Sequence, residues 1–386
     1  MNGHPSLSAF PACDLRGVLR SRARASADPV LGVGRVRRYA SGRAALYHIV
    51  KGLAPGSEIL LPSFHCGVEV EAVLRAGCRP RFYRIGKDLA ADHDQIRTLI
   101  TPATRAILLT HYFGFPQQLA QLRALCQSRD LLLLEDCAHA LYSRDEEGNW
   151  LGSQGDYALF SMRKTSYLPN GGAVRVNRDN LAMPEAGRPY RSIKLLTGLA
   201  RSLLEYEACR SGSTARFALR LLERHDNRPT DDRIAADNSP DEQRWYYDVA
   251  EFDYRHDISL LSLACAAEAD CDEIISRRRH NYGQLCRLLG PAIADCALFS
   301  NLPPGVCPLC LPLVLQNRDL VVDRLNRHGV QPFVFGRHPH PLMNLSRFPE
   351  TVDLSRNLLG LPLHQQLSEQ QLQRVASALL DALSKG

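Results

Sequence analysis

The sequence predicts an α/β chain with a mostly parallel central sheet, followed by a smaller α+β lobe. Three observations lead to that expectation. From residue 36 to about 176, short apolar runs alternate with amphipathic helical stretches. The runs are continuous rather than alternating apolar and polar, as strands buried on both faces are. Polar side chains gather directly after them, where the carboxyl ends of parallel strands form a common rim.

Taken in order, the strand-like runs are "EILLP", "RFYRI", "RAILLT", "LLLLED", "YALFS" and "GAVRV". Between them "AALYHIVKGL", "GVEVEAVLRAG" and "QQLAQLRALCQSR" repeat apolar residues at helical spacing. Residues 185–250 differ in texture, with many arginines and the polar tracts "SGS", "NRPTDD" and "DNSPDEQ", and read as helical pieces joined by loops. Beyond residue 256 come one long helical pattern through "CRLL", the strand-like "CPLCLPLVL", the helical "LVVDRLNRHGV" and a last helix, "SEQQLQRVASALLDALSK". A chain of 386 residues is long enough for two lobes. The expected division is an N-terminal segment over 1–30, a large domain over 31–255 with a variable insertion at 185–250, and a small C-terminal domain over 256–386.

Composition narrows the function. The net charge of +6 is spread as arginine mixed with acids, and no basic block with interleaved aromatics suggests nucleic acid. "MNGHPSLSAFPACDLRG" has no apolar core of a leader, and no stretch approaches the roughly 20 apolar residues of a membrane span, so a cytoplasmic location is expected. The 12 cysteines are scattered, as reduced and mostly buried thiols would be. Cys307 and Cys310 lie close together in an apolar run, without the second Cys or His pair that completes a zinc set, so core packing and no metal site are expected.

Four polar clusters fall at the strand ends. Ser63, Phe64 and His65 follow "EILLP", His111 and Tyr112 follow "RAILLT", Asp136 and His139 follow "LLLLE", and Ser161 and Lys164 follow "YALF". Lys164 is one of only five lysines, with Lys51, Lys87, Lys194 and Lys385, in a chain whose positive charge is mainly arginine. A lysine kept just past a buried strand suggests a need for its amine. An acid, a lysine and hydroxyls on one rim suit pyridoxal 5'-phosphate (PLP). Its aldehyde takes the amine, its ring nitrogen takes the carboxylate, and its phosphate takes hydroxyls and helix N-terminal N–H groups. "SGRAAL" offers that last feature, with Ser41 and Gly42 opening a helix and Arg43 adding a fixed charge. His65 and His111 are open between cofactor contact and packing. Asp156 reads as a turn aspartate of structural role, while His338 and His340 could face substrate or solvent.

"SGRAAL", "ILLPSF", "AVLRAGCRPRFYRI", "AILLTHYFG", "LLEDCAHA", "GSQGDYALFS", "NGGAVRVN" and "GLPLHQQLSEQQLQRV" occur in the order of the DegT/StrS family of PLP-dependent sugar aminotransferases, which the chain resembles over roughly residues 36–385. The resemblance implies the type I fold of PLP-dependent transferases, a homodimer, and amino transfer from a donor such as glutamate to a keto-sugar, nucleotide-linked, in polysaccharide or secondary-metabolite biosynthesis. By position, Lys164 resembles the Schiff-base lysine and Asp136 the partner of the ring nitrogen. His139 takes the place of a glutamine that touches the ring hydroxyl. Ser161 resembles the phosphate-binding serine, and Gly42 with Arg43 the phosphate-binding turn.

Four departures mark a divergent member. Arg43 stands where threonine is usual. Cys66 stands near the position of a ring-stacking aromatic, so that either His65 stacks or the ring is held otherwise. The spacing from Ser161 to Lys164 is two residues shorter than the commonest pattern. "FDYRHDIS" puts Asp253 where an asparagine reaches the partner subunit's phosphate. Two alternatives remain open: a PLP lyase or dehydratase on the same fold, and a non-catalytic relative acting in regulation or assembly. The absence of a GxGxxG between a first strand and a helix disfavours a dinucleotide oxidoreductase.

Overall fold

Continuous apolar runs need cover on both faces, and in the computed structural model each run becomes a strand covered in that way. The structure describes residues 6–11, 28–190, 204, 253–267, 269–299 and 301–384. Residues 191–203 and 205–250 of the insertion expected at 185–250, and most of the 1–30 segment, lie outside these described residues.

Seven strands form the main sheet: β1 (Arg35–Tyr39), β2 (Glu58–Pro62), β3 (Arg79–Tyr83), β4 (Thr104–Thr110), β5 (Leu132–Asp136), β6 (Tyr157–Phe160) and β7 (Gly172–Val176). Their spatial order is β1-β7-β6-β5-β4-β2-β3. Neighbours from β3 through β6 are parallel, whereas β7 runs antiparallel to both β1 and β6. A second, two-stranded antiparallel sheet pairs β8 (Cys310–Val314) with β9 (Leu358–Pro362). The type I fold of PLP-dependent transferases is thus present, with a mostly parallel sheet.

Strand β4 shows how the faces are divided. Ala106 and Leu108 pack with Ala44, Ala45 and Val70 of the helices Gly42–Lys51 and Val68–Arg75. Ile107 and Leu109 point the other way, into a core shared with Leu311, Leu359 and Leu379 from the C-terminal half. Each such fully buried leucine or isoleucine contributes about 1.5–3 kcal/mol relative to exposure, so the second face depends on the C-terminal half for its stability. The single long helix expected beyond residue 256 is two helices, Leu260–Ala267 and Cys271–Leu289. Asp270 ends the first pattern by capping the second helix, its carboxylate accepting from the Glu273 N–H at 3.0 Å. All ten described cysteines are free thiols, including Cys307 and Cys310, both of which are buried.

The alternation of β5 sends Glu135 and Asp136 to opposite faces. Glu135 is fully buried and ties down the loop after the strand. It accepts from the Gly152 N–H at 2.9 Å, the Gln154 N–H at 2.8 Å and the Gly155 N–H. His111 completes the set: its Nδ1 accepts from the Gln117 N–H at 3.0 Å, which leaves Nε2–H to donate to Glu135 at 3.1 Å. These hydrogen bonds hold the Glu135 carboxyl below its ordinary range despite burial. Glu135→Ala would leave four buried donors without an acceptor. It is expected to lower unfolding stability by about 3 kcal/mol or more, seen as a lower urea midpoint of the cofactor-free protein. A midpoint equal to wild type would contradict this role.

Candidate active site

The rim at the carboxyl ends of the parallel strands gathers most of the expected residues. Asp136 closes β5 and is 2 % exposed. One carboxylate oxygen accepts from the Ala138 N–H at 2.9 Å, the other from the Thr110 hydroxyl at 3.4 Å. Burial, followed by the nearby Glu69 carboxylate, lifts its pKa to about 6, against smaller opposing effects of the Ala138 N–H, Lys164 and His111.

Lys164 sits on a single helical turn, Met162–Thr165, directly after β6. Its Nζ stands 5.9 Å from the ring centroids of both Phe333 and Phe335. The same two rings meet His139 edge-on at 5.5 and 4.7 Å, which sets Lys164 and His139 against one aromatic wall. The chain beyond the turn is fastened by Asn170, whose Oδ1 accepts from the Ser262 hydroxyl at 2.6 Å and the Ser259 N–H at 3.1 Å.

His139 is walled by aromatic rings. It stacks on Phe113 with centroids 5.4 Å apart and meets Phe335 edge-on at 4.7 Å. Burial, and secondarily Lys164, holds its pKa well below the ordinary value. Its Nδ1 is buried with no hydrogen-bond partner among the described residues, a costly omission unless a bound group supplies one. Phe113 itself takes φ +56°, a left-handed conformation unusual for phenylalanine, with its carbonyl bonded to the Leu309 N–H at 2.9 Å.

At the other end of the rim, the helix Gly42–Lys51 begins against the lysine-bearing turn. Ser41 caps it, Oγ accepting from the Ala44 N–H at 3.3 Å and keeping its own proton to donate. A Cβ on Gly42 would come 3.2 Å from the Ser161 Cβ, so glycine leaves room between helix start and serine. Ser161 is 9 % exposed and makes no side-chain cap bond. Arg43 follows Gly42 in the first turn, half-buried.

His65 is more self-contained. It stacks on Phe82 at 5.5 Å, and its Nδ1 accepts from the Gly67 N–H at 2.8 Å. Nε2–H is buried without a partner, and burial, with His340 adding to it, holds the ring down to a pKa of about 3. Next to it, the Cys66 thiol donates to Glu69 at 3.2 Å. His111 belongs to the Glu135 network described above. Although His111, Glu135 and Cys137 bring possible metal-ligand atoms within 4.8 Å of one another, both His111 nitrogens are already engaged. Asp156 is structural, accepting from the Leu133 N–H at 2.7 Å and pairing with Arg178 at 2.8 Å. His340 pairs with Glu71 at 2.9 Å. The backbone of Asp253 opens a short 3-10 turn, Asp253–Arg255, while its side chain lies outside the described residues.

Sequence reading did not single out Phe113, Phe333, Phe335 or Glu69. "FVF" alternates in the manner of a strand edge and carries no chemical signature. Only the partner of each ring, brought from a distant part of the chain, reveals its place.

Residues 31–186 match the sequence model of the DegT/DnrJ/EryC1/StrS aminotransferase family. Over that stretch the chain is similar to the family. Over 360 residues it is 27 % identical to a dTDP-4-dehydro-2,3,6-trideoxy-D-glucose 4-aminotransferase of Saccharopolyspora spinosa, covering 89 % of this chain and 83 % of that one. Over 165 residues it is 33 % identical to a UDP-N-acetyl-3-dehydro-alpha-D-glucosamine 3-aminotransferase of Acidithiobacillus ferrooxidans, covering 41 % of this chain and 44 % of that one. Both relatives are named as aminotransferases. Among solved structures, DesI with its TDP-sugar product shares the fold at a TM-score of 0.67 and 21 % identity, covering 98 % of this chain and 93 % of that one. Helicobacter pylori PseC aligns at a TM-score of 0.67 and 16 % identity, covering 99 % and 100 %. The DegT/DnrJ/EryC1/StrS aminotransferases are PLP-dependent. The residues of this rim fit that cofactor: a buried carboxylate, a lysine beside it, an orphaned buried histidine nitrogen, and a glycine-opened helix start against a serine.

The shift of Asp136 gives a pH dependence to test. Its folded pKa of about 6 lies above the ordinary 3.8. The stability linked to its proton is therefore full below pH 3.8 and lost as pH rises through 6. Asp136→Asn in cofactor-free protein is expected to raise the thermal midpoint at pH 8 by roughly 2 °C or more and to change it little at pH 4. An unchanged or lowered midpoint at pH 8 would count against the buried, uncompensated carboxylate.

Proposed function

We propose that this chain is a PLP-dependent aminotransferase that moves an amino group from a donor, glutamate in the first instance, to a keto-sugar carried on a nucleotide. The observation that carries the reading is the placing of Lys164 and His139 against Phe333 and Phe335 at the rim where Asp136 ends its strand, with the buried Nδ1 of His139 left without a partner among the described residues. Bound there, PLP would supply an electron sink for the carbanion formed when the donor carbon loses its proton.

Each residue then has a definable task. The Nζ of Lys164 would hold the cofactor through its aldehyde, and as a free amine would take a proton from the donor carbon and deliver one to the acceptor carbon. Phe333 and Phe335 keep water from that amine. The carboxylate of Asp136 keeps the ring nitrogen protonated, a pairing that also offsets its own cost of burial. His139 would offer its unpartnered Nδ1 to the ring hydroxyl. Ser41, Gly42 and Ser161 bind phosphate through hydroxyls and the N–H groups of the helix start, with Arg43 contributing charge. His65 lies at the margin of the same cofactor site.

The sugar assignment draws on the substrates named for the two relatives. A homodimer, a cytoplasmic location, and a division into a large domain over 31–255 and a small one over 256–386 belong to the same reading. No described helix is long and apolar enough to cross a membrane.

The test is the visible absorbance of purified protein with PLP, before and after glutamate, in wild type and Lys164→Ala. Wild type is expected to show a protein-bound band that glutamate converts, and Lys164→Ala to lack it and to lose about 10³-fold or more in transamination rate. A wild-type protein without a Lys164-dependent band would overturn the reading.

A further inference from the structure

Arg278 lies within the helix Cys271–Leu289 and is 1 % exposed. Its neighbours Arg277 and Arg279 are exposed and half-buried. Removing a guanidinium from water costs several kcal/mol, and among the described residues no carboxylate lies within ion-pair reach to offset it. Neutral oxygens do so instead. Nη2–H donates to the carbonyls of Lys164 at 3.3 Å and Thr165 at 3.2 Å, Nη1–H to those of Pro308 at 3.2 Å and Leu309 at 3.3 Å, and Nε–H to Gln365 Oε1 at 2.9 Å. The Gln365 amide in turn donates to the Thr165 carbonyl at 3.0 Å. All three guanidinium nitrogens are used, and two side chains from the C-terminal half converge on the peptide units at Lys164 and Thr165.

A turn of four residues makes little hydrogen bonding of its own. The Lys164 N–H donates to the Ser161 carbonyl at 3.2 Å and the Ser166 N–H to that of Met162 at 2.8 Å. Without the arginine fork the Lys164 carbonyl would lose its side-chain donor and the Thr165 carbonyl would keep only that of Gln365. We propose that Arg278 is a positioning residue for Lys164: with Gln365, it fixes the Lys164 and Thr165 peptide units and so sets where Nζ stands against Asp136 and His139. This deepens, and rests on, the reading of Lys164 as the amine-bearing residue. The long side chain can swing between cofactor and substrate carbon while its Cα stays fixed. The fork's planar geometry explains why arginine stands here, since a lysine could not span five acceptors.

The experiment compares wild type, Arg278→Lys, Arg278→Met and Gln365→Leu by two readouts. The first is hydrogen exchange at the Lys164 and Ser166 amides in cofactor-free protein. Both are expected to exchange about tenfold faster or more in Arg278→Met and in Gln365→Leu, with smaller acceleration in Arg278→Lys. The second is transamination with PLP present: kcat is expected to fall about 100-fold in Arg278→Met with donor KM changed little, and to recover in part in Arg278→Lys. Folded variants with wild-type exchange at these amides and wild-type kcat would overturn the proposal. If Arg278→Met does not fold, Gln365→Leu carries the same comparison. Failure of the aminotransferase reading shows separately, as a wild type without a Lys164-dependent band, and leaves the exchange readout intact.

Discussion

A carboxylate held in the interior without a salt bridge is the constraint on which the rest of the site depends. Among the described residues, Asp136 has only the Ala138 N–H and the Thr110 hydroxyl at hydrogen-bond range, and the Glu69 charge nearby works against it. An ionised acid in that position costs free energy that a folded chain does not spend for packing alone. Its compensation must come from a cation that arrives with a ligand, such as a protonated ring nitrogen. Both the lysine beside it and the apolar, aromatic surroundings act on the same charge: one attracts it, the others withhold the water that would screen it.

The sheet creates this situation by position. Parallel strands end together, so Asp136 from β5 and Lys164 from just beyond β6 meet although 27 residues separate them in the chain. The antiparallel β7 returns to the start of the helix Gly42–Lys51, where Gly172 lies so close to Ser41 that a Cβ would fall 2.2 Å from its carbonyl group. That contact fixes the start of the helix as much as the close approach at Gly42 does. The C-terminal half then completes the space, bringing Phe333 and Phe335 to the lysine amine and Arg278 to the lysine backbone. The described part of the N-terminal segment joins it, with Leu7 bonded to Gly329 at 2.7 Å and Phe10 against Phe333 at 5.0 Å.

Local signals made the strands and the rim legible. Each of the six quoted apolar runs is a strand, because a run buried on both faces needs no knowledge of its partner to be recognised. Asp136 and Lys164 were legible for a related reason, as polar side chains placed next to such runs. The short helices His93–Leu99 and Pro349–Asn357 escaped notice, since a turn or two of helix with few apolar residues has almost no periodicity to read. Non-local pairings escaped altogether. "RRR" at 277–279 looks uniform, yet only Arg278 falls in line with Ile274, Tyr282 and Leu285 on the buried stripe of its helix. That stripe was a usable signal: an arginine on an apolar face is costly and needs a partner elsewhere. The stacking of His139 on Phe113 had no such signal, for it arises from a left-handed backbone that phenylalanine rarely takes.

The central claim is that one particular lysine of five holds the cofactor. Borohydride reduction of the PLP-loaded protein followed by peptide mapping tests it most directly. A pyridoxyl label confined to Lys164 is the expected result. A label on Lys51, Lys87, Lys194 or Lys385 instead, or no stoichiometric label at all, would contradict it.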